Sequence, residues 1–514
     1  MFGRPVPFLD KRARGFVTMF SMRLVRILYA TLLAGALGAG CDGCKKTPGG
    51  AASGGSGGAA TGGAPQLLQI GMADPFAPPK GDAAKLIETG YAALKQKKPQ
   101  VAIAALQNVV TDAPDWTAAR WALVRALIMG ERYDDALKQW EELLARDFVG
   151  YAGKLDKGKD TDKLRAAPLW PKFGEVQERY RAAYAAGLDK GFFFVARTRS
   201  AQEPQFAGGA TEAPLSLRQE VFHYDPDGKR FRRVSDTDGR AFAVDRSADG
   251  KSLLFLVAPR LHRENGVDSF VDPRVGVLDL ATLAVVGPFA NKGIYDQVGL
   301  GTNHAGQPMF TFVVTTGATA AYTFDTAHTG LAKLEGNGVI PEGGETRAWP
   351  NQVAHFDDKA VPGVKMEDGA TQFLVEGVDQ PVIAARPLAQ SSLTWSPGKT
   401  RLTYAGKLDA CKILKGESKD KNELYVYDKT KHTAQRIAAA VSPFETLWLD
   451  DDRLVYEGGV GKDGKIHLYT FSTHADEALP TRHGAGLYGV PTLACEQAES
   501  GIDEDVGEEE SEGD

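Results

Sequence analysis

The spacing of hydrophobic positions changes along this chain and divides it into segments of different structure. From Asp82 onward, apolar and small residues recur at steps of three and four, as at Leu86, Gly90 and Leu94. This spacing puts them on one face and predicts amphipathic helices. From Phe192, short runs rich in aromatic and β-branched residues alternate with Gly, Asp, Asn and Pro, which predicts strands joined by turns.

The helical part repeats itself. Ala102 and Ala136 lie 34 residues apart, which is the period of the tetratricopeptide repeat. The segment GYAALKQKKPQVAIAALQNVVTDAP resembles that family, with Gly90, Ala102 and Pro114 in matching positions. The resemblance implies two helices per repeat that approach closely at small residues. It therefore assigns repeat packing to Gly90, Ala102, Pro114 and Ala136.

The second repeat departs from the family pattern, because Val124 replaces the glycine and Phe148 replaces the proline. Two repeats bury little surface, and about three are usually needed for stable stacking. Helical spacing at 173–188 predicts a third helix that covers the pair. The intervening residues 151–171 are expected to form a loop.

The strand-rich part also has a period. Gly250 and Gly306 are 56 residues apart, and Gly398 and Asp452 are 54 apart. Each period has room for one four-stranded sheet with its loops. Residues 336–390 match the pattern poorly, so a sheet is predicted there only because the segment is long enough to hold one. Nine runs are predicted to contain strands: 192–197, 241–257, 275–282, 308–314, 320–325, 392–406, 423–430, 446–458 and 466–472.

Repeated four-stranded sheets that bury both faces against their neighbours make a β-propeller. About 300 residues at ~50 per sheet predict six blades, with five or seven as alternatives. The stretch LTWSPGKTRLTYAG at 393–406 resembles a turn of the six-bladed propellers in TolB-like proteins, and AVDRSADGKSLLFLV at 243–257 is a second copy. The predicted fold class is a multidomain chain, α then β, with a short tetratricopeptide-type helical repeat domain and an all-β propeller.

The N-terminal pattern resembles a bacterial lipoprotein signal. Arg23 and Arg26 precede the apolar stretch 27–37, and three small residues then lead to Cys41. The resemblance implies that Cys41 becomes the lipid-bearing N-terminus. Two alternatives remain open: ordinary signal cleavage or an uncleaved anchor, and a redox or metal pair formed by Cys41 and Cys44.

These patterns give the following domain prediction. A signal peptide covers 1–40, a flexible Gly/Ala-rich tether covers 41–80, the helical domain covers 81–190 and the propeller covers 191–496. An acidic tail, 497–514, is expected to be disordered because it lacks aromatic residues and holds eight acids in its last fourteen positions. The tail either solubilises the protein or docks on a basic surface.

Composition narrows the classes of partner. From Cys41 onward the chain holds 54 basic and 65 acidic residues, a net charge of −11, so nucleic acid is not an expected partner. No uninterrupted apolar run of about 20 residues follows residue 40, so no later membrane span is predicted.

Candidate chemistry is sparse. The nine histidines are scattered without a metal-binding spacing, and no hydrolase elbow or nucleotide-binding loop occurs. We therefore predict no catalytic, cofactor or metal residues, no cofactor and no enzyme activity. Cys411 and Cys495 form a possible disulfide in an exported protein, which would stabilise the fold by ~4 kcal/mol; free thiols are the alternative.

The expected function is that of an exported, membrane-anchored lipoprotein that acts as a non-enzymatic scaffold for protein–protein interaction in the cell envelope. Its expected partners are envelope proteins, and the membrane itself through the lipid anchor. The expected location is the periplasm-facing outer membrane, with the inner membrane or the cell surface as alternatives. A propeller that binds a small ligand, sugar or metal is the second function considered, and a propeller enzyme is the third.

Overall fold

We describe a computed structural model of the chain. It describes Leu67 and residues 81–488 except 159–160, 198–210, 215–218, 248, 265–266, 304–306, 315–318, 326–329, 335–343, 350–351, 356–362, 368–370, 385–387, 389–392, 407–420, 441–444, 459–464 and 480–484. The predicted signal, the tether up to Leu67 and the acidic tail lie outside the described residues, as do Cys41, Cys44, Cys411 and Cys495. The predictions made for them stay predictions.

Helices occupy the first part of the described chain. The predicted third helix is confirmed as α7, Trp170–Ala185. The expected loop at 151–171 is partly wrong, because it holds two short helices, α5 at Lys154–Lys157 and α6 at Asp162–Arg165. Each contributes one leucine to the core, Leu155 and Leu164, which are both buried. The bounds are α1 Asp82–Lys95, α2 Pro99–Asp112, α3 Thr117–Met129, α4 Tyr133–Tyr151, α5 Lys154–Lys157, α6 Asp162–Arg165 and α7 Trp170–Ala185.

The first four helices pack as two pairs around one apolar core. Gly90 of α1 lies directly against α2, and a Cβ at this position would meet the Leu106 side chain at 2.6 Å. Ala102 and Ala136 are fully buried in α2 and α4, while Pro114 lies in the turn between α2 and α3. Small side chains thus set the distance between paired helices, since larger ones would separate them.

Strands follow the helices and pair into seven antiparallel sheets within the described residues. Sheet I contains β1 Phe192–Arg197, β3 Gln219–Asp225, β4 Arg230–Arg233 and β29 Ala485–Gly486. Sheet II contains β5 Ala241–Arg246, β6 Ser252–Val257, β9 Arg274–Asp279 and β10 Val285–Ala290. Sheet III contains β2 Glu212–Pro214, β7 Arg260–Glu264, β8 Val267–Val271 and β11 Ile294–Tyr295.

The remaining four sheets follow in chain order. Sheet IV contains β12 Gln297–Asn303, β13 Pro308–Val313, β14 Thr319–Phe324, β15 Leu331–Lys333, β16 Gly344–Trp349 and β17 Gln352–His355. Sheet V contains β18 Val364–Glu367, β19 Gln372–Val375 and β20 Val382–Ile383. Sheet VI contains β21 Thr394–Trp395, β22 Arg401–Ala405, β23 Asn422–Asp428 and β24 Thr433–Ala440. Sheet VII contains β25 Thr446–Trp448, β26 Arg453–Gly458, β27 Lys465–Thr470 and β28 Ala475–Ala478.

Five of the seven described sheets have four strands, and apolar clusters join most of the sheets to a neighbour. Sheets VI and VII have the strand order β21-β22-β23-β24 and β25-β26-β27-β28. Shared clusters join sheet I to II, II to III and IV, V to VI, VI to VII, and VII back to I. Meanders that pack in sequence order, with the last one against the first, form a β-propeller.

The last strand closes this arrangement. In β29, Ala485 and Gly486 pair with Ala196 and Val195 of β1, so the first sheet contains the last strand of the described chain. Leu487 follows directly and is 2% exposed. The propeller prediction is thus confirmed by topology, while the number of blades stays a prediction.

Candidate functional site

The helices are joined to sheet I by hydrogen bonds that link α7 to β4. The Tyr184 hydroxyl donates to the backbone carbonyl of Arg233 at 2.7 Å, and Nη1 of Arg232 donates to the backbone carbonyl of Tyr184 at 2.6 Å. Tyr184 is 1% exposed, and burial together with the charge of Asp147 raises its pKa. The phenol therefore stays neutral and acts as a donor.

A buried histidine holds the linker that follows α7. Burial and the charge of Arg232 lower the pKa of His223 to about 3, so its ring is neutral at physiological pH. Nε2 contacts the backbone carbonyl of Lys190, and Nδ1 lies 3.5 Å from Nη2 of Arg232. A neutral ring with its proton on Nε2 donates to that carbonyl and accepts from the guanidinium.

An ion pair joins α4 to β4 in the interior of this junction. Arg233 donates from Nε to Oδ1 of Asp147 at 3.2 Å and from Nη2 to Oδ2 at 2.8 Å. The Asp147 side chain is fully buried and that of Arg233 is 9% exposed. Burial alone lowers the pKa of Arg233, but the carboxylates of Asp147 and Asp236 outweigh it and raise the pKa. We call this pair the junction ion pair.

The backbone of α4 is shaped to make room for the junction ion pair. Asp147 has φ −147° and ψ 75°, which interrupts the helix. Gly150 lies opposite, and its backbone N–H donates to Oδ1 of Asp147 at 3.0 Å. A Cβ at Gly150 would overlap the Arg233 guanidinium, so glycine is required for this close approach rather than for its backbone angles.

A second carboxylate fixes the turn after β4. Glu220 is buried and accepts hydrogen bonds from the backbone N–H groups of Thr237 at 2.9 Å and Gly239 at 2.8 Å. Burial raises its pKa, which the charge of Arg233 and the hydrogen bonds from Ser235 and Gly239 partly oppose. The turn carries Asp236, which accepts from Nη1 of Arg233 at 3.2 Å. Asp236 is thereby held at the edge of the helical part.

An open cavity of about 590 Å³ lies along this edge, and we call it the junction groove. It is the candidate site for a binding partner, because residues of the helical repeats and of the propeller meet in it. Its lining consists of Trp121, Arg125, Ala152, Gly153, Lys154, Lys157, Gly158, Thr161 and Asp236.

The junction groove combines an aromatic floor with a basic rim. The ring of Trp121 lies 6.0 Å from that of Tyr151, and Nζ of Lys154 lies 4.6 Å over the Tyr151 ring. Lys154 also pairs with Asp236 at 3.8 Å. With Arg125 and Lys157, the described residues that line the groove include three cations and one carboxylate, which favours an anionic occupant.

The junction groove contains none of the site residues predicted from sequence. Four of the predicted residues lie in the described part of the chain. Gly90, Ala102 and Ala136 lie in packed helices, and Pro114 lies in a turn. Asp147 and Arg233 were missed because the 86 positions between them give no local pattern. The sequence did indicate the basic rim of the groove, because the run GKLDKGK places Lys154 and Lys157 close together.

Neither a membrane-spanning helix nor a metal-binding cluster occurs among the described residues. Within those residues, no helix is long and apolar enough to cross a membrane. No group of three or more His, Cys, Asp or Glu side chains in the same part of the chain is arranged to hold a metal ion.

Comparison with known proteins gives a family match to the helices and a set of similar solved structures. The tetratricopeptide repeat family matches residues 93–149. No curated protein sequence matches the chain. TolB from Acinetobacter baumannii is similar with a TM-score of 0.33 and 13% identity, over 63% of this chain and 72% of that one.

Two further solved structures are similar to this chain. A protein assigned as TolB from Agrobacterium tumefaciens has a TM-score of 0.27 and 14% identity, over 52% of this chain and 90% of that one. Oligogalacturonate lyase from Vibrio parahaemolyticus has a TM-score of 0.25 and 9% identity, over 57% of this chain and 79% of that one. The neighbours thus include an enzyme. The fold is a tetratricopeptide-type helical segment followed by a propeller.

Proposed function

We propose that this protein is an exported, membrane-anchored lipoprotein of the bacterial cell envelope that acts as a non-enzymatic scaffold. In this proposal the junction groove binds an acidic segment of a partner protein. The supporting observation is the groove itself, whose described lining includes Trp121, three cations and one carboxylate. A groove of this kind suits an extended peptide better than a reacting small molecule.

The charge of the groove defines the partner. Carboxylates of an acidic segment can form charge-assisted hydrogen bonds with Arg125, Lys154 and Lys157, and such bonds are about twice as strong as neutral ones. Lys157 is exposed, and no described carboxylate pairs with it. Apolar side chains of the partner would lie against Trp121, which is half-buried.

The junction ion pair supports the scaffold role. It connects α4 with β4 in the interior, so the helical and propeller walls of the groove keep a fixed separation. A preorganised site loses less conformational entropy when a partner binds. The same connection would let one partner be held between the two parts of the protein.

Site-specific crosslinking in cells tests the proposal. A photoreactive amino acid at Lys157 should trap a neighbouring protein, and mass spectrometry should identify an acidic peptide at the crosslink. The same probe at Lys172, an exposed position on α7, is the matched control. Replacing Arg125 and Lys154 by glutamate should abolish the crosslink from position 157. Equal trapping at both positions, or a trapped peptide without acidic residues, would contradict the proposed function.

The lipid anchor is tested separately. We expect a Cys41→Ala variant to lose the mass of the lipid and to leave the membrane fraction. A Cys44→Ala variant should retain both the lipid mass and membrane partition. If the Cys41→Ala variant kept its membrane partition and its mass changed only by the substitution, the lipoprotein part of the proposal would be wrong.

A further inference from the structure

A second cavity lies at the end of the inner strands of the propeller, away from the residues of the junction groove. It has a volume of about 440 Å³, and we call it the mouth cavity. Its lining comes from the linker 189–191, the start of β1, the turn between β3 and β4, the end of β5, the segment from β25 to the start of β26, and the residues after β29. Pockets of this size commonly hold small molecules.

The apolar wall of the mouth cavity is fixed by backbone hydrogen bonds. The carbonyl of Tyr488 accepts from the Val244 N–H at 2.9 Å, and the Tyr488 hydroxyl donates to the Thr446 carbonyl at 3.3 Å. Nε1 of Trp448 donates to the Thr394 carbonyl at 3.1 Å. Tyr488 therefore connects the segment after β29 to two other sheets, and the wall is rigid before any ligand arrives.

The linker forms the opposite wall and is held by its main chain. Nη1 of Arg246 donates to the Asp189 carbonyl at 3.4 Å, and His223 contacts the Lys190 carbonyl. Gly191 passes so close to the backbone of Tyr224 that a Cβ would overlap it. The side chains of Asp189 and Lys190 are exposed, and none of these anchors uses them.

The charged side chains around the mouth cavity balance one another. Three carboxylates, Asp189, Asp227 and Asp245, face three cations, Lys190, Arg246 and Arg453. Arg453 pairs with Asp227 at 2.6 Å. The cavity therefore offers hydrogen-bond donors and acceptors in equal measure without a net charge that would attract an anion or a cation.

We propose that the mouth cavity binds a neutral saccharide of about two sugar units. Each sugar hydroxyl both donates and accepts, so it can bond a carboxylate and a guanidinium at the same time. The C–H face of a sugar ring can pack on the apolar wall formed by Leu447, Leu449 and Tyr488, which are half-buried. A charged saccharide gains no net Coulomb attraction, because the three carboxylates and three cations that line the mouth cavity cancel.

Ligand-observed NMR on the purified protein tests this inference. The probes are the neutral disaccharides maltose, cellobiose and N,N′-diacetylchitobiose, with digalacturonate and the glucosamine dimer as charged counterparts. We expect saturation transfer to at least one neutral probe, and weaker or no transfer to both charged probes.

Paired variants localise the binding. Asp189→Ala combined with Lys190→Ala removes two polar side chains from the cavity but retains the backbone anchors, and it should weaken binding by about tenfold. Lys172→Ala combined with Glu175→Ala makes the same change of charge on the exposed face of α7 and should have no effect. Circular dichroism must show that both variants are folded. Absence of neutral-saccharide binding, preference for a charged probe, or equal affinity in both variants would overturn the inference.

Discussion

At the residue scale, the junction ion pair is the interaction whose loss should cost most. Both partners are buried, so neutralising Asp147 leaves the buried guanidinium of Arg233 with the partly exposed Asp236 as its remaining ion-pair partner. We expect Asp147→Asn to lower the free energy of unfolding by about 3–5 kcal/mol, measured by urea denaturation. Asp236→Asn is the matched control, because Asp236 contacts the same arginine from a side chain that is 37% exposed. It should cost at most about 1 kcal/mol, and equal losses would argue against the role of burial.

A buried carboxyl in sheet VII predicts how stability depends on pH. Burial and the charge of Glu445 raise the pKa of Glu457 well above its usual value, although the Leu487 N–H opposes this with a hydrogen bond to the carboxylate. Because the pKa of Glu457 is higher in the folded state than in the unfolded state, the contribution of this residue to stability is fully present below about pH 4. That contribution is lost as the pH rises through the folded-state pKa. Glu457→Gln should remove this loss.

Thermal unfolding at several pH values measures the effect of Glu457. At pH 7 the Glu457→Gln variant should be more stable to thermal unfolding than the natural chain, because its neutral amide has no proton to lose. Glu477→Gln changes an exposed carboxyl on β28 of the same sheet and should leave the profile unchanged. Parallel profiles for the natural chain and Glu457→Gln would refute the assignment.

At the element scale, two glycines in helices should respond in opposite ways to alanine. Gly90→Ala forces a Cβ against Leu106 and should destabilise the protein by about 1–3 kcal/mol. Gly174 lies in α7, where a Cβ would meet nothing within 4 Å, so Gly174→Ala should stabilise by about 0.5–1 kcal/mol. The free energy of unfolding of both variants, measured by urea denaturation, tests whether helix packing limits the size of the residue at position 90. Effects of the same sign would contradict it.

Strands differed in how well sequence predicted them. All nine predicted runs contain strands, because inner strands such as β6 bury a continuous apolar surface. β24 and β28 were missed since they lie at the outer edge of their sheets, where exposed positions need not be apolar. The 54-residue spacing between Gly398 and Asp452 did mark equivalent turns, which precede β22 and β26.

The two cavities could not be predicted from sequence, because both depend on contacts between residues that are far apart along the chain. The 34-residue period of the helices is a local regularity and predicted their packing. The junction groove depends instead on Asp236 reaching Lys154, and the mouth cavity depends on Tyr488 reaching Val244. Such contacts leave no periodic signal in one sequence, so the cavities became visible only in three dimensions.

At the scale of the whole molecule, closure by β29 should decide the stability of the propeller. A chain ended after residue 484 loses two paired residues of sheet I and the buried side chain of Leu487. We expect it to unfold at a lower temperature, with a loss of at least about 3 kcal/mol. A chain ended after residue 496 removes only the predicted acidic tail and should match the full chain. Identical melting of both truncations would show that β29 does not close the fold.

The pairing of β1 with β29 also has a consequence for synthesis. A growing polypeptide emerges N-terminus first, so β1 is made before its edge partner exists. Sheet I must wait for the far end of the propeller, and contacts so distant in sequence form slowly. A ribosome that stalls before residue 485 therefore releases a product with an open strand edge, which proteases and chaperones can recognise. The position of one two-residue strand thus makes the completion of sheet I depend on the completion of nearly the whole described chain.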